Sequence, residues 1–463
     1  MTRNIQKLII VAASFACLQG HSQNLDMLSA LEQSKKNYPL IKARQADVIS
    51  ASHDVGAAAA EYIPKLTVQH QYTYGTSNSI AGSYYPNPAV ISPAGGIRAD
   101  NIYTATWGSY TTSMLEWNIF NFGKVAANIT ASKANYESAQ AAYENEVFQH
   151  QIRVADAYLL ALIAKKLTAI QQSNINRALH FRQVVDAGVR SGMRPGVDSA
   201  LAHAEYAKAQ LQLLESRRNE KSQRFQLAEL TGAIPEVMTD LDSMQFFTTL
   251  PLLPDTVGIS YTANPLLRVY RTRANTTIAR SVAIRRTFLP SITLVGTAWA
   301  RGSGISPADD SFKTRFSDGA HYQVYNYLLG VSTRWTLTDL IPIRQRYKSE
   351  KYKSVRDQEL YNEQSIKVLR QQKESEMQYE LLMEQAHTAP IQLSAAQRAY
   401  LQAFARYTSG MTDLPTLLQA MLALNRAEAD LAVTYSNAWR ALLSIAASKG
   451  SIDLFVKEIN NQR

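Results

Sequence analysis

From Lys124 to Val189 the chain contains no proline and a single glycine, Gly188. The stretch is rich in Ala, Glu, Gln, Lys and Leu, all good helix formers. About 65 residues of continuous helix would reach roughly 100 Å. Gly192–Pro195 breaks the run, and a second run, Val197–Leu230, heads back. The arrangement recurs. Ile343–Thr408 is one long run interrupted only by Pro390, a break falls at Gly410, and Leu417–Ser448 returns. Helices this long do not fit one globular core, so they predict coiled-coil-like packing or a helical barrel.

The recurrence extends along the chain, and a repeat of this length governs the reading of the whole fold. Tyr62-Ile63-Pro64-Lys65-Leu66 resembles Phe288-Leu289-Pro290-Ser291-Ile292, 226 positions on, and Asn37-Tyr38-Pro39 faces Asn264-Pro265 at nearly the same spacing. Trp117-Asn118-Ile119-Phe120-Asn121 resembles Trp335-Thr336-Leu337-Thr338-Asp339, 218 positions on. Ser191-Gly192-Met193 matches Ser409-Gly410-Met411, and Gly232 matches Gly450, also at 218. The spacing changes once, across loops rich in Gly, Ser, Pro and Asn: Gly75–Asn101 in the first copy and Arg301–Gly319 in the second. Length differences belong in exposed loops. The expected organisation is a first repeat over 23–233, a linker over 234–258, a second repeat over 259–450 and a tail over 451–463.

Each repeat opens with a helical stretch, Asp26–Glu61 in the first, and continues with two strands. Leu66, Val68, His70, Tyr72 and Tyr74 alternate with Thr67, Gln69, Gln71 and Thr73, the period of a strand. A second strand runs through Trp107–Phe120, with Leu115, Trp117 and Ile119 on one face. The second copy repeats this with Ser291–Trp299 and Tyr322–Leu337. Four strands cannot close a membrane barrel, for which about eight is the minimum. Three chains would supply twelve, with lipid outside and water inside. Tyr72, Trp107, Tyr325, Tyr327 and Trp335 would then form aromatic girdles. The strands by themselves also fit a soluble sandwich with a conventional aromatic core.

Met1–Lys7 is short and basic, Leu8–Leu18 is mainly apolar, and Gly20-His21-Ser22 offers small residues before Gln23. This is the layout of a secretory signal peptide over 1–22, too short to span a membrane. A buried N-terminal helix is the alternative. Cys17, the one cysteine, allows lipidation, although Phe15 fits that signal poorly. A single cysteine excludes a disulfide framework and cysteine-based metal clusters. The net charge of +10 is spread along the chain rather than clustered, which argues against nucleic-acid binding. There is no P-loop, no His-Glu-x-x-His, no Gly-x-Ser-x-Gly and no cysteine pair. Gly302-Ser303-Gly304 lacks a third glycine and reads as loop. The eight histidines are scattered. No catalytic residue, cofactor or metal site is expected, and the chain is not read as an enzyme.

Taken twice over, the order of helix, Pro-started strand, loop, Trp-containing strand, long helix, Gly turn and returning helix resembles the TolC-type outer membrane efflux proteins. Leu115-Glu116-Trp117-Asn118-Ile119-Phe120-Asn121-Phe122-Gly123-Lys124 carries the best single match, with Tyr62–Leu66, Phe288-Leu289-Pro290, Val189–Met193 and Tyr407–Met411 beside it. The similarity covers roughly residues 25–450. It implies an α+β membrane protein, with a trimeric 12-stranded barrel in the outer membrane of a Gram-negative type envelope. A long periplasmic helical barrel would continue it. It also implies a passive exit duct of a tripartite efflux pump or type I secretion system. The duct would dock onto a periplasmic adaptor and reach an inner-membrane transporter of RND, ABC or MFS type indirectly. A secreted structural or adhesive coiled-coil protein without a pore is the alternative.

By the same resemblance Ser191, Gly192, Met193, Ser409, Gly410 and Met411 are adaptor-contact positions. The family narrows its entrance with acidic residues that fall here on Thr416 and Gln419, neither of them acidic. Asp198 keeps an acid after the first tip, Arg194 is near enough to pair with it or with a neighbouring helix, and Asp413 could partly replace the missing acids.

Overall fold

A computed structural model describes residues 25–76, 78, 98–232, 241, 245–253, 263–306 and 309–462. The proposed signal peptide, Cys17 and most of the Gly75–Asn101 loop lie outside these residues. The chain forms two compact units, one of Met1–Ser50, Glu137–Ala274 and Arg356–Arg463, the other of Ala51–Tyr136 and Asn275–Val355.

The first helical stretch is two helices, α1 (Met27–Asn37) and α2 (Pro39–Ala60), rather than one. Asp26 caps α1, accepting from the Ser29 amide at 2.8 Å. Pro39 then stops α1 and starts α2, because proline disfavours a helical residue before it and suits a first helical turn. Strands β1 (Lys65–Gly75) and β2 (Thr106–Phe120) follow, then α3 (Lys124–Arg190) and α4 (Gly196–Thr231). The second half supplies α5 (Pro265–Arg286), β3 (Ser291–Ser303), a small hairpin of β4 (Ile305–Ser306) and β5 (Ser311–Phe312), α6 (Phe316–Ala320) and β6 (Val324–Arg334). It ends with α7 (Leu340–Thr408), α8 (Leu414–Lys449) and α9 (Asp453–Asn461). Pro390 does not interrupt α7, which is continuous across it. Ala386 and Ala389 just before it and Ala403 beyond it are buried, and one missing hydrogen bond costs less than losing that packing.

The core of the first unit lies among α1, α3, α8 and α9, where Trp439, Tyr158 and Phe455 are fully buried. Residues 245–253, from the segment between the repeats, and the tail helix α9 are built into it. The Trp439 indole donates to the Thr249 carbonyl at 3.2 Å, the Tyr379 hydroxyl to the Pro251 carbonyl at 2.8 Å, and Glu458 accepts from the Leu252 amide at 2.9 Å. Cross-helix ion pairs join Arg177 to Glu428 and Arg440 to Asp156, each at 2.6 Å.

Beside the β4–β5 hairpin, the second unit contains a four-stranded antiparallel sheet in the order β1-β2-β3-β6. Leu66 lies opposite Leu115 and Tyr72 opposite Ser109; Trp117 lies opposite Leu294, and Ala298 opposite Tyr327. Paired residues share a face, so Leu66, Val68, Tyr72, Trp107, Leu115, Trp117, Tyr325, Tyr327 and Val331 form one face. No Asp, Glu, Lys or Arg stands on it; Lys65, Glu116, Arg301 and Arg334 are all on the other. A bulge between Asn118 and Phe120 makes Ile119 the extra residue. Phe120 therefore takes the place beside Ile292, a correction to the simple alternation that put Ile119 on the Trp117 face. Strand β3 extends to Ser303, so Gly302 and Ser303 are strand, not loop, whereas β6 stops at Arg334 and leaves Trp335 and Leu337 beyond it. Among the described residues β1 and β6 are edges, and no helix is long and apolar enough to cross a membrane.

Candidate functional site

The two helical hairpins end in the same backbone structure. The Met193 amide donates to the Gly188 carbonyl at 3.0 Å and the Gly192 amide to Val189 at 3.0 Å. In the second hairpin the Met411 amide donates to Arg406 at 2.8 Å and the Gly410 amide to Tyr407 at 3.0 Å. This paired arrangement needs a left-handed residue at its centre, and Gly192 and Gly410 both have φ 74°. The turns present Met193 and Met411 to solvent, 76% and 66% exposed, with Ser191 and Ser409 beside them and also exposed.

Below the turns the hairpins pack on each other through Phe181, Val185, Ala202, Tyr407, Leu414 and Leu417. Arg194 bridges them. Its guanidinium lies 4.3 Å from the Tyr407 ring centroid and donates to the Tyr407 carbonyl. The Tyr407 hydroxyl donates to Asp198 at 3.5 Å. Burial, followed by the Asp198 charge, pushes the Tyr407 phenol up. Arg194 thus engages the neighbouring hairpin, one of the two partners its position allowed. Asp413 is the N-cap of α8, accepting from the Thr416 amide at 3.3 Å and from its hydroxyl, and these bonds hold its carboxyl below the usual range. Thr416 and Gln419 are exposed. Nearby, Asp186 accepts from the Ser199 hydroxyl at 2.6 Å and pairs with His203 at 3.2 Å, which lowers its pKa, the hydroxyl most.

Tyr407 entered the sequence reading only as the first residue of the second tip motif, not as a site residue. The repeat held the signal: Val189 stands where the second copy has Tyr407, and Thr412 where the first has Arg194. Each half of the bridge departs from its own duplicate.

The five aromatic positions divide. Tyr72, Tyr325 and Tyr327 are exposed on the uncharged face. Trp107 is half-buried, with the Phe316 ring of α6 at 5.0 Å and Tyr74 at 4.9 Å; Phe316 also lies 5.2 Å from Tyr72. Trp335 lies outside the strand, its indole donating to the Phe288 carbonyl at 3.0 Å.

The chain combines a sheet that has one uncharged face with two long helical hairpins, the elements that the sequence reading expected. A family model for outer membrane efflux proteins matches residues 30–233 and 261–451, and the chain belongs to that family. No curated protein sequence matches it. Among solved structures, the outer-membrane channel OprN superposes with a TM-score of 0.75 at 20% identity, over 92% of this chain and 90% of that one. CmeC, an outer membrane channel of Campylobacter jejuni, gives 0.76 at 16% over 94% and 89%. VceC, an outer membrane protein of Vibrio cholerae, gives 0.74 at 16% over 92% and 96%. At these identities the likeness is one of fold.

Proposed function

We propose that the chain is the outer membrane exit duct of a tripartite efflux pump or type I secretion system, a passive channel that does no chemistry of its own. The observation that carries the reading is the sheet. Its apolar face has no charged residue, its other face carries all four, and its two edges lack partners among the described residues. An exposed apolar face with open edges is costly in water. In a bilayer every backbone group must be paired, which only a closed barrel achieves with strands. Three chains joined β6 to β1 close twelve strands, with the uncharged face towards lipid and the polar face lining water.

Residues 1–22 act as the export signal, and 23–233 and 259–450 as the two structural repeats. The exposed turns at Ser191–Met193 and Ser409–Met411 meet a periplasmic adaptor, which links the duct to an inner-membrane transporter. Arg194, Asp198, Asp413, Thr416 and Gln419 form the entrance, with the Arg194–Tyr407 contact bracing the two hairpins. Opening it means breaking such contacts, a small bias on a two-state helix bundle.

In-cell photo-crosslinking from Met193 and Met411, with partners identified by mass spectrometry, tests this reading. Capture of one periplasmic adaptor supports it. Absence of any envelope partner, with the protein abundant and intact, favours a structural coiled-coil protein instead.

A further inference from the structure

The first turns of α7 contain charge that the fold does not require. Residues 340–349 include Arg344, Arg346 and Lys348 and no acidic residue. Further along the same helix several cations have carboxylate partners: Lys353 pairs with Glu350 at 2.9 Å, Lys367 with Glu363 at 2.6 Å and Lys373 with Glu376 at 3.0 Å. Arg344, Arg346 and Lys348 are exposed, and among the described residues no carboxylate stands within ion-pair distance of them. Helix stability gives no reason for cations here, since the N-terminal end of a helix favours negative charge.

The duplication supplies an internal control. The positions equivalent to Arg344, Arg346 and Lys348, 218 residues earlier, are Ala126, Asn128 and Thr130 at the start of α3. The first repeat builds the same strand-to-helix passage without a cation at any of them. The apolar residues before the helix are kept in both: Ile119 and Phe122 are exposed in the first repeat, Leu337 and Leu340 in the second. Ile341, 72% exposed, shares a helix face with Arg344 and Lys348 by its spacing. The result is a bare apolar turn followed directly by bare cations, a few residues beyond the uncharged face of the sheet. Apolar side chains at that place would be ill suited to a water-filled lumen. The pattern fits the edge of a bilayer, where long basic side chains reach headgroup phosphates.

We propose that Arg344 and Lys348, on one face of the helix, form a binding site for the phosphate headgroups of anionic phospholipids, in the leaflet on the helix side of the sheet. The occupant is argued from charge complementarity and from continuity with the uncharged face. The inference rests on the reading of that face as lipid-facing and adds which lipid class is held and by which residues.

The test uses the full-length protein extracted from outer membranes in mild detergent. Native mass spectrometry would compare retention of added dioleoylphosphatidylglycerol with that of zwitterionic dioleoylphosphatidylethanolamine. With each cation near an anionic surface favouring it modestly, the expected preference for the anionic lipid is roughly tenfold. The Arg344→Gln/Lys348→Gln variant should lose it, Arg344→Lys should keep it, and Arg346→Gln, on the opposite flank of the helix, should leave it unchanged. Equal retention of the two lipids by the unmodified protein overturns the proposal, independently of how any variant folds. So does an unchanged preference in the double glutamine variant, or complete displacement of the lipid by an equal concentration of inorganic phosphate. Absence of the protein from the outer membrane fraction would instead overturn the membrane reading itself.

Discussion

The indole of Trp335 donates to the carbonyl of Phe288 at 3.0 Å. Its duplicate, Trp117, donates to the carbonyl of Tyr62 at 3.0 Å. Each carbonyl lies two residues before the proline that ends a helical stretch, Pro290 and Pro64. Each tryptophan therefore clamps the base of a hairpin, where β1 starts as β2 ends and β3 starts as β6 ends. Trp335→Phe and Trp117→Phe keep the ring and delete the donor. Each should cost about 1 kcal/mol, and the pair should be nearly additive. Denaturant unfolding of the two single variants and the double variant measures this.

Gly410 and Gly450 share a left-handed backbone but not their surroundings. A Cβ on Gly410 meets nothing within 4 Å, whereas one on Gly450 would stand 2.7 Å from the Asn264 Cα. Gly410→Ala should cost about 1 kcal/mol, the backbone preference alone. Gly450→Ala adds a clash with backbone and should cost about 2 kcal/mol more. Urea midpoints at constant slope separate the two.

Arg194 bridges the hairpins by stacking on Tyr407 and bonding its carbonyl. Arg194→Ala removes both contacts, worth about 1 kcal/mol for the stack alone, and should shift an open–closed equilibrium at the entrance about fivefold towards open. Single-channel recording in planar bilayers reads this as longer open times. Tyr407→Phe, which keeps the stack, should behave nearly as the unmodified protein.

His150 is fully buried, stacked on Tyr38 at 3.9 Å between centroids. Its Nε2 donates to the Leu230 carbonyl at 2.9 Å, which leaves Nδ1 as a buried lone pair without a hydrogen-bond partner among the described residues. Burial pushes the imidazole pKa down, helped by the Arg153 charge and opposed by the Leu230 bond and Glu146. A base with a lowered folded pKa destabilises the fold on acidification. The stability is fully present above about pH 6.5 and is lost as pH falls from there through the folded value. Thermal unfolding should drop between pH 7.5 and 5.5, and His150→Phe should flatten that dependence.

Much of this fold is legible in the residues because its determinants are local. The absence of Pro and the single Gly, Gly188, over Lys124–Val189 dictate α3, and Ser191-Gly192-Met193 and Ser409-Gly410-Met411 locate both turns. Alternation along Leu66–Tyr74 identifies β1 and its apolar face. What local pattern does not contain is set by contacts distant in sequence. The Asn118–Phe120 bulge depends on register with β3, the end of β6 at Arg334 on its pairing with Ser291, the first residue of β3, and the shielding of Trp107 on Phe316, over 200 residues away. The Arg194–Tyr407 bridge joins separate hairpins in the same way. Pro390 is the converse case: a local helix-breaker overruled by packing along the helix that contains it.

The central claim is that copies of this chain close a water-filled pore through the outer membrane. Conductance of the purified outer-membrane oligomer in a planar lipid bilayer tests it most directly. Discrete, stepwise ion currents from a heat-labile trimer are the expected result. A soluble elongated particle that inserts into no bilayer and carries no current would contradict it.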